Sequence, residues 1–290
     1  MKNKITWPEN KKFAVCLTHD VDQVRKTYQY ITKRNKSNFQ EIGDLIKNKN
    51  PYWNFRKIME FEDKFGVKST FFFLQESKKV NFLKPREWVL SGGKYKFNEK
   101  QIREIIQLLD RNGWEIGLHG SYNSYQKIGL LKDEKVLLEM VVGHRILGIR
   151  QHYLNLNIPE TWNIQKTAGF KYDSSFGLRN NVGFRNNRHF PFRPFNDDFI
   201  VIPLTLMDKY LFELSQNMRK VWTKVESLIC MAEELGALLT VLWHQRVFNK
   251  SEFPGYIDMY EKIIEECKKR GAFFGRCIDI YEWCKENEQN

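Results

Sequence analysis

The chain has 290 residues, of which 42% are hydrophobic and 28% charged, with a formal net charge of +12. That suits one or two globular domains with a full core and leaves no stretch near the ~20 apolar residues of a membrane span. The five cysteines, an odd number with no CxxC pair, argue against a disulfide framework.

Residues 1–10 are polar and hold no apolar signal-peptide centre, so the expected location is the cytoplasm, including the inner membrane face. Residues 13–16, Phe-Ala-Val-Cys, read as a buried strand running into Leu17-Thr18-His19-Asp20-Val21-Asp22. Carboxylates at i and i+2 on an extended chain point the same way, and they repel unless a cation, a proton or an arginine stabilises them. Asp20 and Asp22 are therefore either a general base beside a metal ligand or part of an Asp-rich turn. Arg25, Lys26, Lys33, Arg34 and Lys36 follow, interleaved with Tyr28 and Tyr30. With the overall charge they favour an anionic partner: a phosphate-bearing sugar, an acidic polysaccharide or an anionic membrane surface. A lysine-rich solvated surface is the plainer alternative, and no nucleic-acid motif accompanies the charge.

Phe55, Ile58, Met59, Phe61 and Phe65 form a helical face that stops at Gly66, and residues 68–74 are β-branched and aromatic like a buried strand. Ile102, Ile105, Ile106 and Leu109 mark a helix with Asn98 as N-cap and Gly113 as its stop. Residues 114–118 read as a strand, 132–147 as a helix and 148–150 as a strand; Pro159 opens a helix ending near Gly169. Residues 177–198 are long for a structureless connection and suggest a substrate loop, with Arg185 as a candidate substrate contact. Residues 200–202 form another strand. Val221, Trp222, Val225, Leu228, Ile229, Ala232 and Leu235 give an amphipathic helix closed by Gly236. Residues 237–243 are a strand, and Tyr256, Ile257, Tyr260, Ile263, Ile264 and Cys267 line a last helix closed by Gly271.

Alternating strands and helices predict an α/β chain with a largely parallel sheet, as a doubly wound sheet or a barrel. GxGxxG and Walker A patterns are absent. A barrel keeps its site at the carboxyl ends of its strands. There the sequence places Asp20, Asp22, residues 119–123 and 150–153, Asp173 and His244. Carboxylates, imidazoles and an arginine from several strand ends suit metal-assisted hydrolysis. Singly each has a plainer role: His119 as a structural hydrogen-bonder, Arg150 in an ion pair, Asp173 as a helix cap.

Together these segments resemble the polysaccharide deacetylase (NodB-homology) carbohydrate esterases, from about Phe13 to Trp283. Thr18-His19-Asp20-Val21-Asp22 is similar to that family's first motif, Ser69-Thr70-Phe71-Phe72 to the strand after it, and Glu115-Ile116-Gly117-Leu118-His119 to the approach to the second. Arg150-Gln151-His152-Tyr153 looks like the Arg-x-Pro-Tyr motif, residues 168–175 like the segment after it, and Leu242-Trp243-His244 like the last. The resemblance implies one irregular (β/α) barrel domain over residues 1–290. In it Asp22 and His119 would hold a divalent metal, usually zinc. Asp20 would be the general base, oriented by Arg150, and His244 the general acid, tuned by Asp173. The oxyanion of an N-acetyl carbonyl would be stabilised by the metal and by the backbone near Tyr153.

Two positions depart from the family pattern. The second histidine of His-x-x-x-His is Asn123, a weaker ligand for zinc. Asn123, another group such as His19, or water completes the site, or the metal is gone. His152 stands where the third motif has proline, as an acid–base group, a substrate contact or a packed residue. The expected function is metal-dependent removal of an N-acyl group from a sugar or polysaccharide in cell-envelope or surface-polysaccharide synthesis, with a nucleotide- or lipid-diphosphate-linked sugar as the candidate substrate. The alternatives are a metal-free sugar-modifying enzyme and a non-catalytic carbohydrate-binding protein.

Overall fold

The computed structural model describes residues 6–27, 50–77 and 94–287. Of the basic cluster, Arg25 and Lys26 are described; Tyr28, Tyr30, Lys33, Arg34 and Lys36 lie outside the described residues.

The strands are β1 (Phe13–Val21), β2 (Thr70–Leu74), β3 (Glu115–Gly120), β4 (Gly148–Gln151), β5 (Tyr172–Asp173), β6 (Ile200–Val201), β7 (Leu206–Met207), β8 (Leu238–Leu242) and β9 (Ala272–Phe274). The helices are α1 (Phe55–Lys64), α2 (Lys100–Arg111), α3 (Ile128–Val142), α4 (Glu160–Thr167), α5 (Asp208–Glu213), α6 (Met218–Leu235), α7 (Tyr256–Lys269) and α8 (Cys277–Glu286). The strand order is β6-β5-β4-β3-β2-β1-β8-β7, with every pair parallel. β9 pairs with the first half of β1, at Phe13 to Val15, below the point where β2 joins at Thr18. Residues 200–207 bridge the two ends of this curled sheet. Their first half pairs with β5 and their second with β8, which makes the architecture an irregular α/β barrel.

Period-two alternation divides the core. Phe13, Val15 and Leu17 of β1, Phe71 and Phe73 of β2, and Ile116 and Leu118 of β3 face the helices in the large apolar cluster. Ala14, Cys16 and Phe72 face the barrel interior, with Tyr172 and Leu238. Each fully buried Phe or Leu in these layers contributes about 1.5–3 kcal/mol. The same alternation carries Thr18 and Asp20 inward and His19 outward. His19 there donates from Nδ1 to the Trp243 carbonyl (2.5 Å) and sets Nε2 against Glu62 of α1 (2.8 Å). Glu62 also accepts from Tyr260, Ser69 and Trp114, so the outward side of β1 is locked to α1, α7 and β8.

Several expected boundaries move. β1 and β3 run further than the apolar runs suggest, because the parallel ladder continues through Val21↔Phe73 and Leu74↔His119. Asp20 and His119 therefore sit within strands rather than after them. α3 begins at Ile128 and stops at Val142, not near 147, since Gly143 takes φ +91° and turns the chain out of the helix. Asn98 is not the cap of α2, whose N-cap is Glu99 without a side-chain bond. α6 closes at Gly236 as its sequence suggests, and a side chain caps its other end. Asn217 accepts from the N–H groups of Arg219 and Lys220, and Gly236 ends the helix at φ +66°. The 177–198 segment is tied down by a 3-10 turn at Arg185–Asn187 and by an antiparallel bridge between Phe192 and Val201. Among the described residues no helix is long and apolar enough to cross a membrane.

Candidate functional site

Adjacent strands deliver the polar residues to one end of the barrel. β1 brings Asp20 and, just beyond its end, Asp22; β3 brings His119; β4 brings Arg150 and then the 3-10 turn His152–Leu154. His244 follows β8 and caps the 3-10 turn Gln245–Phe248. Arg150 is fully buried over the Phe72 ring. Its guanidinium donates to Asp20 Oδ1 (2.9 Å), Thr18 Oγ1 (2.8 Å), the Ser174 carbonyl (2.9 Å) and Ser174 Oγ (2.8 Å). Asp20 Oδ2 is left 3.6 Å from His119 Nε2.

Three imidazoles converge on Asp22. His119 Nε2 is 3.2 Å and His152 Nε2 3.8 Å from Asp22 Oδ1; His244 Nε2 is 3.5 Å from Oδ2. The far nitrogen of each ring is already committed: His119 Nδ1 donates to the Arg150 carbonyl (2.8 Å), His152 Nδ1 to Glu76 (3.1 Å) and His244 Nδ1 to Asp208 Oδ1 (2.8 Å). With the ring proton on Nδ1, the Nε2 atoms of His119 and His152 turn their lone pairs towards Asp22 Oδ1. Asp22 Oδ1 is buried and accepts no hydrogen bond. Lone pairs facing a carboxylate oxygen repel unless a cation stands among them, either a proton or a metal.

The electrostatics agree. Burial works to raise the Asp22 carboxyl, but His119, His244, His152 and Arg246 outweigh it and hold it well below the usual carboxylate range. Burial likewise opposes a charge on His119, yet Asp20 and Asp22 raise it above the ordinary imidazole value. Asp208 is lowered against its own burial by His244 and Arg246.

Asp22, His119 and His152 offer an oxygen and two nitrogens within 4.8 Å of one another. That is a chemically suitable set for a divalent ion of the zinc type. Orphaned Oδ1 and the braced imidazoles fit such an ion, because acceptors behind ligand histidines fix the tautomer that coordination requires.

The expected residues fall unevenly around this centre. Asp20, Asp22, His119, Arg150, His152 and His244 are together. Asp173 is not with them. Its alternation on β5 points it outward, where it accepts from Gln165 (2.9 Å) and Trp162 (3.3 Å) of α4 and from Ser175 N (3.0 Å) and Oγ (2.5 Å). The carboxylate on His244 is Asp208, which also accepts the His244 backbone N–H at 2.7 Å. Asn123 opens the 3-10 turn Ser124–Gln126, and its side chain hydrogen-bonds none of the cluster. Tyr153 is 42% exposed at φ +59°, its ring 4.5 Å from that of His152. Arg185 stacks on Phe176 (4.3 Å), donates to the Gly177 carbonyl (3.3 Å), and makes no hydrogen bond or ion pair to the cluster. Glu76, Asp208 and Arg246 were missed. Glu76 lies two residues past β2, a spacing that signals it as i, i+2 signals Asp22; Asp208 follows a two-residue strand with no pattern to find.

No protein-family model matches the sequence, and no curated protein matches it. Solved structures do match over nearly the whole chain. A protein assigned as a polysaccharide deacetylase from Mycobacterium smegmatis is 17% identical, with 99% of this chain and 95% of that one covered at a TM-score of 0.65. Puue allantoinase is 16% identical, with 100% and 96% covered at 0.67. A CE4 family pseudoenzyme from Bacillus anthracis is 15% identical, with 94% and 66% covered at 0.51. The chain carries the fold of the polysaccharide deacetylases. At these identities the likeness speaks to fold alone.

Proposed function

We propose that the chain is a divalent-metal-dependent deacylase that removes an N-acyl group, N-acetyl foremost, from a sugar of the cell envelope or of a surface polysaccharide. The reading rests on the buried, unpaired Asp22 Oδ1 facing His119 and His152, whose other ring nitrogens are already engaged. The shared fold supports it. The net charge of +12 suits a substrate carried on a nucleotide or lipid diphosphate.

Asp22, His119 and His152 would hold the ion, zinc by its donor set. Bound there, the ion supplies Lewis acidity towards an acyl oxygen and the attacking water. Asp20 accepts the proton of that water on Oδ2, while the hydrogen bond from Arg150 keeps Oδ1 in place. His244 carries the proton for the departing amine on Nε2, with Asp208 fixing the ring through Nδ1 and balancing its charge. His152 stands as the third ligand in place of Asn123.

The test is metal content and acetate release from N-acetylhexosamine oligomers, on protein never exposed to chelator. Stoichiometric zinc, with turnover lost on chelation and restored by zinc, is expected. A protein that takes up no zinc after soaking overturns the reading. Turnover indifferent to chelation would favour the metal-free enzyme, and sugar binding without turnover the binding protein.

A further inference from the structure

Asp22 is divided between two neighbourhoods. Its Oδ1 faces His119 and His152 and accepts no hydrogen bond. Its Oδ2 accepts from Arg246 Nη1 at 2.8 Å and lies 3.5 Å from His244 Nε2. Arg246 lies in the turn after His244 and is 20% exposed, so solvent screens its charge only in part. A guanidinium stays charged at every working pH, and it cannot be neutralised to make room for a dication.

The geometry points to Arg246 as a positioning residue that confines Asp22 to one coordinating oxygen and weakens the grip of the Asp22–His119–His152 cluster on a divalent ion. This inference rests on the metal-dependent reading and concerns a residue which that reading does not use. Acceptors placed behind metal ligands, like the Arg150 carbonyl behind His119, raise ligand basicity. A donor carrying a full positive charge behind a ligand carboxylate acts with the opposite sign. It draws electron density towards Oδ2 and repels the ion across a short, poorly screened distance. An ion held by such a weakened carboxylate keeps more of its charge for polarising a substrate oxygen. A merely structural role for Arg246 is less well supported, because other contacts already join the two strand exits. Gln245 Nε2 donates to the Gln23 carbonyl at 2.5 Å, and Lys26 pairs with Glu252 at 2.9 Å.

The test is titration of the metal-free full chain with Co²⁺ and Zn²⁺ against a chromophoric chelator, for wild type, Arg246→Gln and Arg246→Lys. The Co²⁺ visible spectrum reports the ligand geometry. Arg246→Gln should bind both ions about tenfold or more tightly, and Arg246→Lys, which keeps the charge, should remain within about threefold of wild type. If the glutamine variant fails to fold, Arg246→Met removes the same charge and carries the same expectation. Affinity in the neutral variant equal to or weaker than wild type overturns the inference and leaves the metal-dependent reading standing. A wild type that takes up neither ion overturns both.

Discussion

Arg150→Met should be among the most destabilising single changes in the barrel. Arg150 is wholly buried, and its replacement strands the Asp20 carboxylate, Thr18 Oγ1, and the carbonyl and hydroxyl of Ser174. Breaking a buried pair by removing one partner costs about 3–5 kcal/mol, most of it the uncompensated charge left behind. In a chain of this size that corresponds to a fall in Tm of about 10 °C. Because the penalty lies in the orphaned carboxylate, Arg150→Met with Asp20→Asn should recover about 2 kcal/mol relative to the sum of the single changes. Urea unfolding of the metal-free protein measures all three variants without interference from ion binding. A cost below about 1 kcal/mol for Arg150→Met, or strict additivity in the double variant, would refute the claim that this ion pair organises the interior.

Asp173→Asn replaces an acceptor oxygen that faces only donors, so it should cost about 2–4 kcal/mol in urea unfolding while leaving acetate release per folded molecule unchanged. On the proposed mechanism, Asp208→Asn should lower kcat by about 10²–10³ with a smaller stability loss, since it disturbs His244, the proposed acid. The two effects exchanged would reverse the assignment of the carboxylate partner. His152→Ala should weaken zinc binding in a chelator competition by more than about 100-fold, and Asn123→Ala by less than about threefold. Equal effects would put both residues on the ion. Glu134 lies buried beside Ser121, and burial, reinforced by Glu76, pushes its carboxyl up to about 7. A carboxyl raised on folding contributes stability that is present below its unfolded value near 4.5 and is lost as pH rises through about 7. Glu134→Gln should therefore remove up to about 3 kcal/mol of the stability decline between pH 5 and 8. A decline unchanged in the variant would exclude Glu134 as its source.

Much of this arrangement was legible because strands write their geometry with a period of two. Asp20 and Asp22 at i and i+2 could be read as facing one way, and the histidines after apolar runs could be read as lying at the barrel's active end. The same rule would have turned Asp173 outward had it been applied to β5, where Tyr172 belongs to the interior layer. Glu76 was readable too, two places beyond Leu74, which sits in register with His119. Asp208 was not readable. β7 is two residues long, too short for any alternation to appear, and its partner His244 lies in a distant part of the sequence. Arg246 also escaped the rule, because the chain leaves extended geometry at the turn Gln245–Phe248 and the period of two no longer applies. Helix stops at Gly143 and Gly236 were fixed by backbone conformation. Only the first moved its helix away from the expected end, because apolar residues continue past Gly143 and mask it.

On the proposed metal-dependent reading, the two departures from the deacetylase motifs make sense as one exchange. A metal site of this kind requires that donor atoms meet at a point, and it is indifferent to which strand supplies them. β3 and β4 are neighbours, with His119 directly opposite Arg150. His152 opens the turn just past β4, two residues beyond Arg150, and its Nε2 comes to 3.8 Å from Asp22 Oδ1. With His152 as the proposed third ligand, an imidazole at 123 would be redundant, and the proline of the motif would have to be given up. The support around each ring follows the same logic. His119 leans on the backbone of β4, His152 on a carboxylate from the β2 exit, and His244 on one from the β7 exit. The three imidazoles are thus each braced from a different strand, and the bracing fixes their rings around one carboxylate.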